Sequence, residues 1–374
     1  MDVKLLLSVA TFCGTIIGVG VFALPYVVSQ VGFWPGIFYL ILLAAAFVPL
    51  YLLYGETLLR TKGSARLPGL AERYLGKWGK IIISFSTFIG LSASLICYII
   101  AGGEFLSTII GTDFFICALI FWFLLSLGII FGLKSISKFE LFVLFLFVIT
   151  LGVLFFMCAP HIRFENLSGF YPENLFLPYG VILFSMYGLS AIPALRDILK
   201  GEEKKLKNAI LIGTILSLVF YSVFVFIVVG VSGLETTEES IQGLIVKIGD
   251  GVILLGAIFG IMSVSTSFLT VGIYVRDVLF YDFKARKWLS TAFICTVPLL
   301  GLTLGIEYLV PLMSFIGSIL GAFESVVLIF ISKRSKIKGD RKPEYQIKVP
   351  DPILYLICIV FVTGFIYEIV SFIK

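Results

Sequence analysis

Eleven apolar stretches, each long enough to cross a bilayer, follow one another along this chain with little sequence between them. They fall at roughly 5–30, 34–59, 79–106, 113–132, 138–160, 174–198, 206–231, 251–279, 287–304, 307–332 and 351–373. In hydrocarbon an unpaired peptide group costs several kcal/mol, so each stretch has to satisfy its own backbone as a helix. The expected class is therefore an all-α polytopic membrane protein of eleven transmembrane helices. Composition agrees, with 59% hydrophobic and 14% charged residues in 374, far from a soluble domain. The first stretch begins almost at Met1, runs past signal-peptide length and has no small-residue cleavage pattern, so it is expected to be retained.

Charge is distributed unevenly. With the N-terminus on the cytoplasmic side, all of the 28 Lys and Arg but Arg163, Lys247 and Lys374 fall in inner segments. Those segments are Lys4, Arg60–Lys80, Lys134 and Lys138, Arg196–Lys207, Arg276–Lys287 and Lys333–Lys348. The positive-inside rule then sets the N-terminus inside and, for eleven spans, the C-terminus outside. Glu235, Glu238 and Glu239 fall on the outer side. The net charge of +5 is thus a topology signal, and no nucleic-acid partner is expected. The six cysteines all lie within spans without paired spacing and read as apolar packing residues. A single histidine, His161, excludes a histidine metal cluster or dyad within one chain. With no Ser-His-Asp set, P-loop or metal-ligand cluster, an enzyme is not expected, nor any cofactor beyond a coupling ion.

Two spans carry a break. Gly14-Thr15-Ile16-Ile17-Gly18-Val19-Gly20 lies inside the first, with Pro25 five residues on, and Gly188 lies inside the sixth, with Pro193 five residues on. Glycines remove packing and favour non-helical dihedrals. Non-helical backbone at membrane depth survives only where it is buried by protein or lines a cavity. Broken spans at corresponding places in two halves point to a transporter's substrate site. Five spans within 1–160 followed by five within 174–332 make the second half enter from the opposite side. That is an inverted repeat, with 351–374 a peripheral extra helix. Small residues elsewhere (Gly90, Ser92, Ala93, Ser94, Gly256, Gly260, Ser263) read first as helix packing.

An unwound stretch in span one exposes the amides of Val19 and Gly20 at the start of an outer half-helix, where free N–H groups and a partial positive charge suit a carboxylate. Carbonyls near Gly14 and Ile17 suit a cation or an ammonium. Span six supplies Phe184-Ser185-Met186-Tyr187-Gly188, a polar break flanked by aromatics that can cover a ligand. In span eight, Ser263, Thr266 and Ser267 offer hydroxyl oxygens within about a turn; the plain alternative is back-bonding to the preceding turn. Among intramembrane acids, Glu324 is deepest and is a candidate for proton coupling, with no partner visible in the sequence. Glu104 lies near the outer end of span three. Glu56 lies near the inner end of span two, one turn from Arg60, where an ion pair is expected. Arg196-Asp197 and Arg276-Asp277 at inner ends read as anchors or gate pairs.

Gly14–Pro25 resembles the opening motif of permeases of the amino acid–polyamine–organocation superfamily, most of all the hydroxy and aromatic amino acid permeases and the amino acid/auxin permeases. Tyr98-Ile99 through Gly103-Glu104-Phe105-Leu106, Thr266-Ser267-Phe268-Leu269 with Asp277, and Gly188…Pro193 with Lys200–Ala209 agree with it. The resemblance covers spans one to ten. It implies the five-plus-five inverted repeat of bacterial leucine transporters and alternating access. It implies substrate contacts at Thr15, Gly18, Val19, Gly20, Tyr98, Phe184, Ser185, Tyr187 and Gly188. A sodium site would take the carbonyls of Gly14, Ile17 and Ser263 with the hydroxyls of Thr266 and Ser267. Some proton-coupled relatives place a lysine midway along span five, whereas Lys138 stands only at its start. The expectation is a secondary active transporter of neutral amino acids, aromatic or hydroxylated among them, in the cell membrane, coupled to sodium or protons and acting as a monomer. The alternatives are a transport-like sensor, a channel or an uncoupled exchanger.

Overall fold

The computed structural model describes residues 2–131, 133–238, 240, 244, 248, 251–303 and 309–373. Glu239, Lys247 and Lys374, used above for orientation, lie outside the described residues, as do 304–308 where spans nine and ten were expected to meet. A helix stands at the place of every expected span. Among the described residues, eight helices are long and apolar enough to cross a membrane, and Val3–Ile16 with Gly20–Val31 passes as one span bent by 55°. Shorter apolar helices stand at Phe114–Ile130 and Lys287–Thr303. Large side chains such as Phe85, Phe142, Phe145 and Phe156 are exposed along these helices, a surface that needs lipid rather than water.

Local chemistry explains the boundaries. The Asp2 side chain accepts from the Lys4 amide at 3.1 Å and caps the first helix. Gly32, at φ +102°, separates Gly20–Val31 from Phe33–Arg60. A Cβ there would sit 2.2 Å from the Gly169 carbonyl oxygen, so only glycine makes this turn. Two features were not anticipated. A short helix, Leu67–Leu75, lies between spans two and three. Span ten runs on to Lys338, so the basic linker begins as helix, its Lys and Arg being good helix formers suited to a C-terminal end.

The contacts between spans pair under a five-span shift. Span one packs on span five as span six packs on span ten; spans three and ten meet as spans eight and five do. The second half of span one lies on the first half of span six, and the first half of span one on the second half of span six. Span eleven, Asp351–Ile373, packs on span ten and is mostly exposed, with Phe361 inserted and Tyr179 donating to the Val360 and Phe361 carbonyls.

The basic segments gather at one end. Lys4 Nζ donates to the Lys200 carbonyl at 2.8 Å, Arg341 Nε to the Leu59 carbonyl at 2.6 Å, and Lys80 pairs with Glu72 at 2.6 Å. Glu56 and Arg60 form the expected ion pair at 2.8 Å, with the Ile347 amide on the other Glu56 oxygen at 3.0 Å.

Candidate substrate and cation sites

Span one unwinds over Ile17–Val19, and span six over Met186–Gly188, followed by the tight turn Leu189–Ala191 and the helix Ile192–Ile198 with Pro193 in its first turn. The two breaks touch. A Cβ on Gly20 would meet Ser185 Oγ at 2.2 Å and Ser185 Cα at 3.0 Å; one on Gly188 would meet the Phe12 ring at 2.8 Å. Val19 is fully buried, and the Val19 and Gly20 amides donate to no acceptor among the described residues. A buried N–H without a carbonyl is a vacancy in the usual accounting of backbone bonds, of the kind a ligand carboxylate fills.

Of the expected substrate residues, Gly18, Val19, Gly20, Ser185 and Gly188 line the junction itself. Tyr98 and Phe184 flank it, their ring centroids 6.4 Å apart, and the Tyr98 ring lies 3.6 Å from where a Gly18 Cβ would stand. The Thr15 hydroxyl instead back-bonds to the Thr11 carbonyl at 2.7 Å and that of Ser185 to Val181 at 2.7 Å. The Tyr187 hydroxyl donates to Glu324, whose other oxygen accepts from Thr87 at 2.7 Å. Glu324, fully buried, thus has two partners where the sequence showed none. Glu104, in span three, accepts through its carbonyl from Ser107 and Thr108.

The five groups of the expected sodium site do assemble. Thr266 and Ser267 hydroxyls each donate to the Gly14 carbonyl at 3.0 Å, Ser263 donates to Ile17 at 2.9 Å, and Thr266 also reaches the Ser263 carbonyl at 2.9 Å. All three hydroxyl-bearing residues are fully buried. The donor set is hard oxygen throughout and fits sodium in kind. The same hydroxyls also satisfy the carbonyls that the break leaves open.

Sequence reasoning missed several members. Glu140, two residues beyond exposed Lys138, is fully buried and accepts from Thr11 at 2.5 Å and from Thr270, one turn from the five-oxygen set. An acid inside span five was its available signal. Tyr221 donates to the carbonyls of Ile16 at 2.5 Å and Ser185 at 3.0 Å, bonding both breaks at once. Tyr51 donates to the Met186 carbonyl and accepts from the Gly188 amide at 3.3 Å. Nothing in a tyrosine's own sequence neighbourhood announces such a bond.

At the basic end, Arg66, almost fully buried, reaches Asp277 at 2.6 Å and Asp197 at 3.1 Å and stacks over Tyr281. Arg196 and Arg276 pair with the same two carboxylates at 2.9 and 3.2 Å. Asp282 accepts the Arg66 and Gly69 amides at 3.0 and 2.9 Å, holding the start of the short helix. The ends of spans six and eight are thereby tied through one guanidinium. Beside it lies a cavity of about 640 Å³ lined in part by Lys62, Arg196, Asp197 and Lys200.

Two broken helices in contact at their breaks, with open amides on one and the Tyr98 and Phe184 rings beside them, are the arrangement that a transport protein's substrate site calls for. The profile of the tryptophan/tyrosine permease family matches residues 1–370, and the chain belongs to that family. It is similar to the tyrosine-specific transport system 1 of Haemophilus influenzae, 28% identical over 76% of this chain and 75% of that one. It is also similar to glutamine transporter 2 of Aliivibrio fischeri, 24% identical over 86% of each. In fold it resembles a nucleobase-cation-symport-1 family transporter in a closed conformation, with TM-score 0.65 and 13% identity over 98% of this chain and 90% of that one. The chain is an amino acid permease of the cell membrane and not an enzyme. The expected family and the leucine-transporter-like fold are both borne out.

Proposed function

We propose that this permease carries a neutral amino acid, aromatic or hydroxylated side chains included, by proton-coupled symport. The observation that carries this is the junction of Gly20 with Ser185, where two open amides on span one face a break covered by Tyr98 and Phe184. The Val19 and Gly20 amides receive the substrate carboxylate, and the carbonyls of the span-six break take its ammonium. Similarity to proteins named for tyrosine and glutamine transport supports a neutral substrate of middling to large size.

Protons are favoured over sodium by two carboxylates, Glu140 and Glu324, buried at membrane depth with only hydroxyl partners and no Lys or Arg paired to them among the described residues. An isolated buried carboxylate is costly as an anion and takes up a proton readily. Glu324 is the proposed carrier. Sodium on Gly14, Ile17, Ser263, Thr266 and Ser267 is the rival. Repeats at 1–160 and 174–332, a peripheral 351–374, a cytoplasmic N-terminus and a monomeric working unit complete the reading. The clustering of basic segments at one end supports the orientation.

Uptake of radiolabelled L-tyrosine and L-glutamine into proteoliposomes tests it. An inward proton gradient in sodium-free choline buffer is expected to drive accumulation. Accumulation driven by a sodium gradient alone, at equal pH on both sides, would transfer coupling to the five-oxygen site.

A further inference from the structure

Glu324 is held by two hydroxyls that are not equivalent. Thr87 lies within the continuous helix Lys77–Ile110, where a hydroxyl can turn to the carbonyl four residues earlier, as Ser84 and Ser94 do toward Lys80 and Gly90. Tyr187 lies in the break of span six. Its neighbours there are fixed to other spans: Ser185 to Tyr221, and Met186 and Gly188 to Tyr51. Ser185 in turn lies against Gly20 of span one.

A carboxylate only accepts hydrogen bonds, whereas a carboxylic acid donates one. When Glu324 takes up a proton, one of its two hydroxyl partners has to change from donor to acceptor. For Thr87 the released hydrogen has a carbonyl on its own helix. For Tyr187, whose backbone lies in the break, the bond that reverses is the one that ties the break to span ten.

Resting on the reading of Glu324 as the proton carrier, we propose that Tyr187 transmits the protonation of Glu324 to the substrate junction, its hydroxyl reversing from donor to acceptor as the carboxylate becomes the acid. The proton bonds to Glu324; the tyrosine keeps its own hydrogen and only turns it. No heavy atom has to move for the signal to leave span ten. What changes is the bond by which Tyr187 anchors the break to span ten, beside the backbone that receives the amino acid.

The other groups around Glu324 lie on continuous helices or at the ends of the spans, not in a break. Tyr54 of span two and Tyr274 of span eight lie within its electrostatic reach, their hydroxyls 3.5 Å apart. Among the described residues, charges and polar bonds from span eleven and the short helix meet span ten toward its ends. There Lys333 pairs with Asp351 at 2.9 Å, Arg334 donates to the Tyr74 carbonyl at 3.1 Å, and Glu368 lines a cavity with Ser314. Between those ends Glu324 is the one acid or base in Phe315–Phe330.

The test uses full-length protein in lipid and needs no substrate. Infrared difference spectroscopy across a pH titration reads the carboxylic acid band, and Glu324→Gln assigns it. Hydrogen exchange of residues 185–190, corrected for the intrinsic effect of pH, reads the break. Tyr187→Phe removes one donor to the anion, so the band's midpoint is expected to rise by about one pH unit while the break loses its pH response. Thr87→Val is expected to move the midpoint in the same direction and leave that response intact. Fluorotyrosine at 187, a stronger donor of nearly the same size, moves the midpoint down and covers the case of a poorly folded Phe variant. If Glu324→Gln leaves the band unchanged, the carrier itself is wrong. If it removes the band, yet the break in Tyr187→Phe still follows pH as in the wild type, the carrier stands and Tyr187 is not the transmitter.

Discussion

Gly20 and Ser185 share one space: a single carbon added to Gly20 would lie 2.2 Å from the serine hydroxyl and 2.8 Å from its Cβ. The two broken helices therefore approach as closely as a hydrogen and a serine allow, and the substrate junction is built on that approach. Gly20→Ala is expected to abolish uptake and lower the melting temperature. Adding Ser185→Gly in the same chain removes the two tightest contacts, leaving Cα at 3.0 Å, and is expected to recover a measurable part of both. Equal loss in single and double variants would show that the glycine is needed for another reason.

Tyr221 stabilises both breaks at once. Tyr221→Phe leaves the Ile16 and Ser185 carbonyls without that donor, at a cost of about 1–3 kcal/mol for each buried group left unsatisfied. The Gly18 amide still reaches Ile16 at 2.8 Å, which softens the loss there. The expected result is a lower melting temperature in detergent together with weaker amino acid binding by thermal shift. A change in neither would remove Tyr221 from the junction.

Arg66 joins Asp197 at the end of span six to Asp277 at the end of span eight. Arg66→Gln is expected to raise thiol labelling of a cysteine placed at Ser64 or Gly63 from that side, and to reduce concentrative uptake more than exchange. Asp277 is closer to the guanidinium and more buried than Asp197, at 15% against 36% side-chain exposure. Asp277→Asn should therefore have a larger effect than Asp197→Asn, since removing one partner of a more buried pair leaves an uncompensated buried charge. Labelling unchanged from the wild type in Arg66→Gln, Asp277→Asn and Asp197→Asn would make the cluster an anchor rather than a gate.

Thr266→Ala and Ser267→Ala separate the two coupling ions. Under proton coupling each costs stability by loosening the Gly14 carbonyl, and neither creates a sodium requirement. A marked rise in the sodium concentration for half-maximal uptake, with substrate affinity preserved, would instead assign the five oxygens to sodium.

Orientation is checked with two single cysteines. One after Lys374 is expected to react with an impermeant thiol reagent on intact cells and one at Asp2 is not. The opposite pattern, or both ends on one side, would contradict eleven crossings with the N-terminus inside.

The spans, the two breaks and the family were legible in the sequence because each is a local or periodic property. An apolar run of about twenty residues has few options in a bilayer, and glycines five residues before a proline mark where its helix fails. Ser263, Thr266 and Ser267 could be placed opposite Gly14 and Ile17 because the resemblance to known permeases carried that pairing. What only the tertiary structure decided is which distant side chains close the bonds that the breaks open. Glu140 with Thr11 and Thr270, Tyr221 across Ile16 and Ser185, Glu324 between Thr87 and Tyr187, and Arg66 between Asp197 and Asp277 all join residues far apart in the chain. A hydroxyl or carboxylate on an apolar helix looks the same in sequence whether it back-bonds or reaches another span. Its partner is set by how the helices cross, and that is a property of the packed bundle alone.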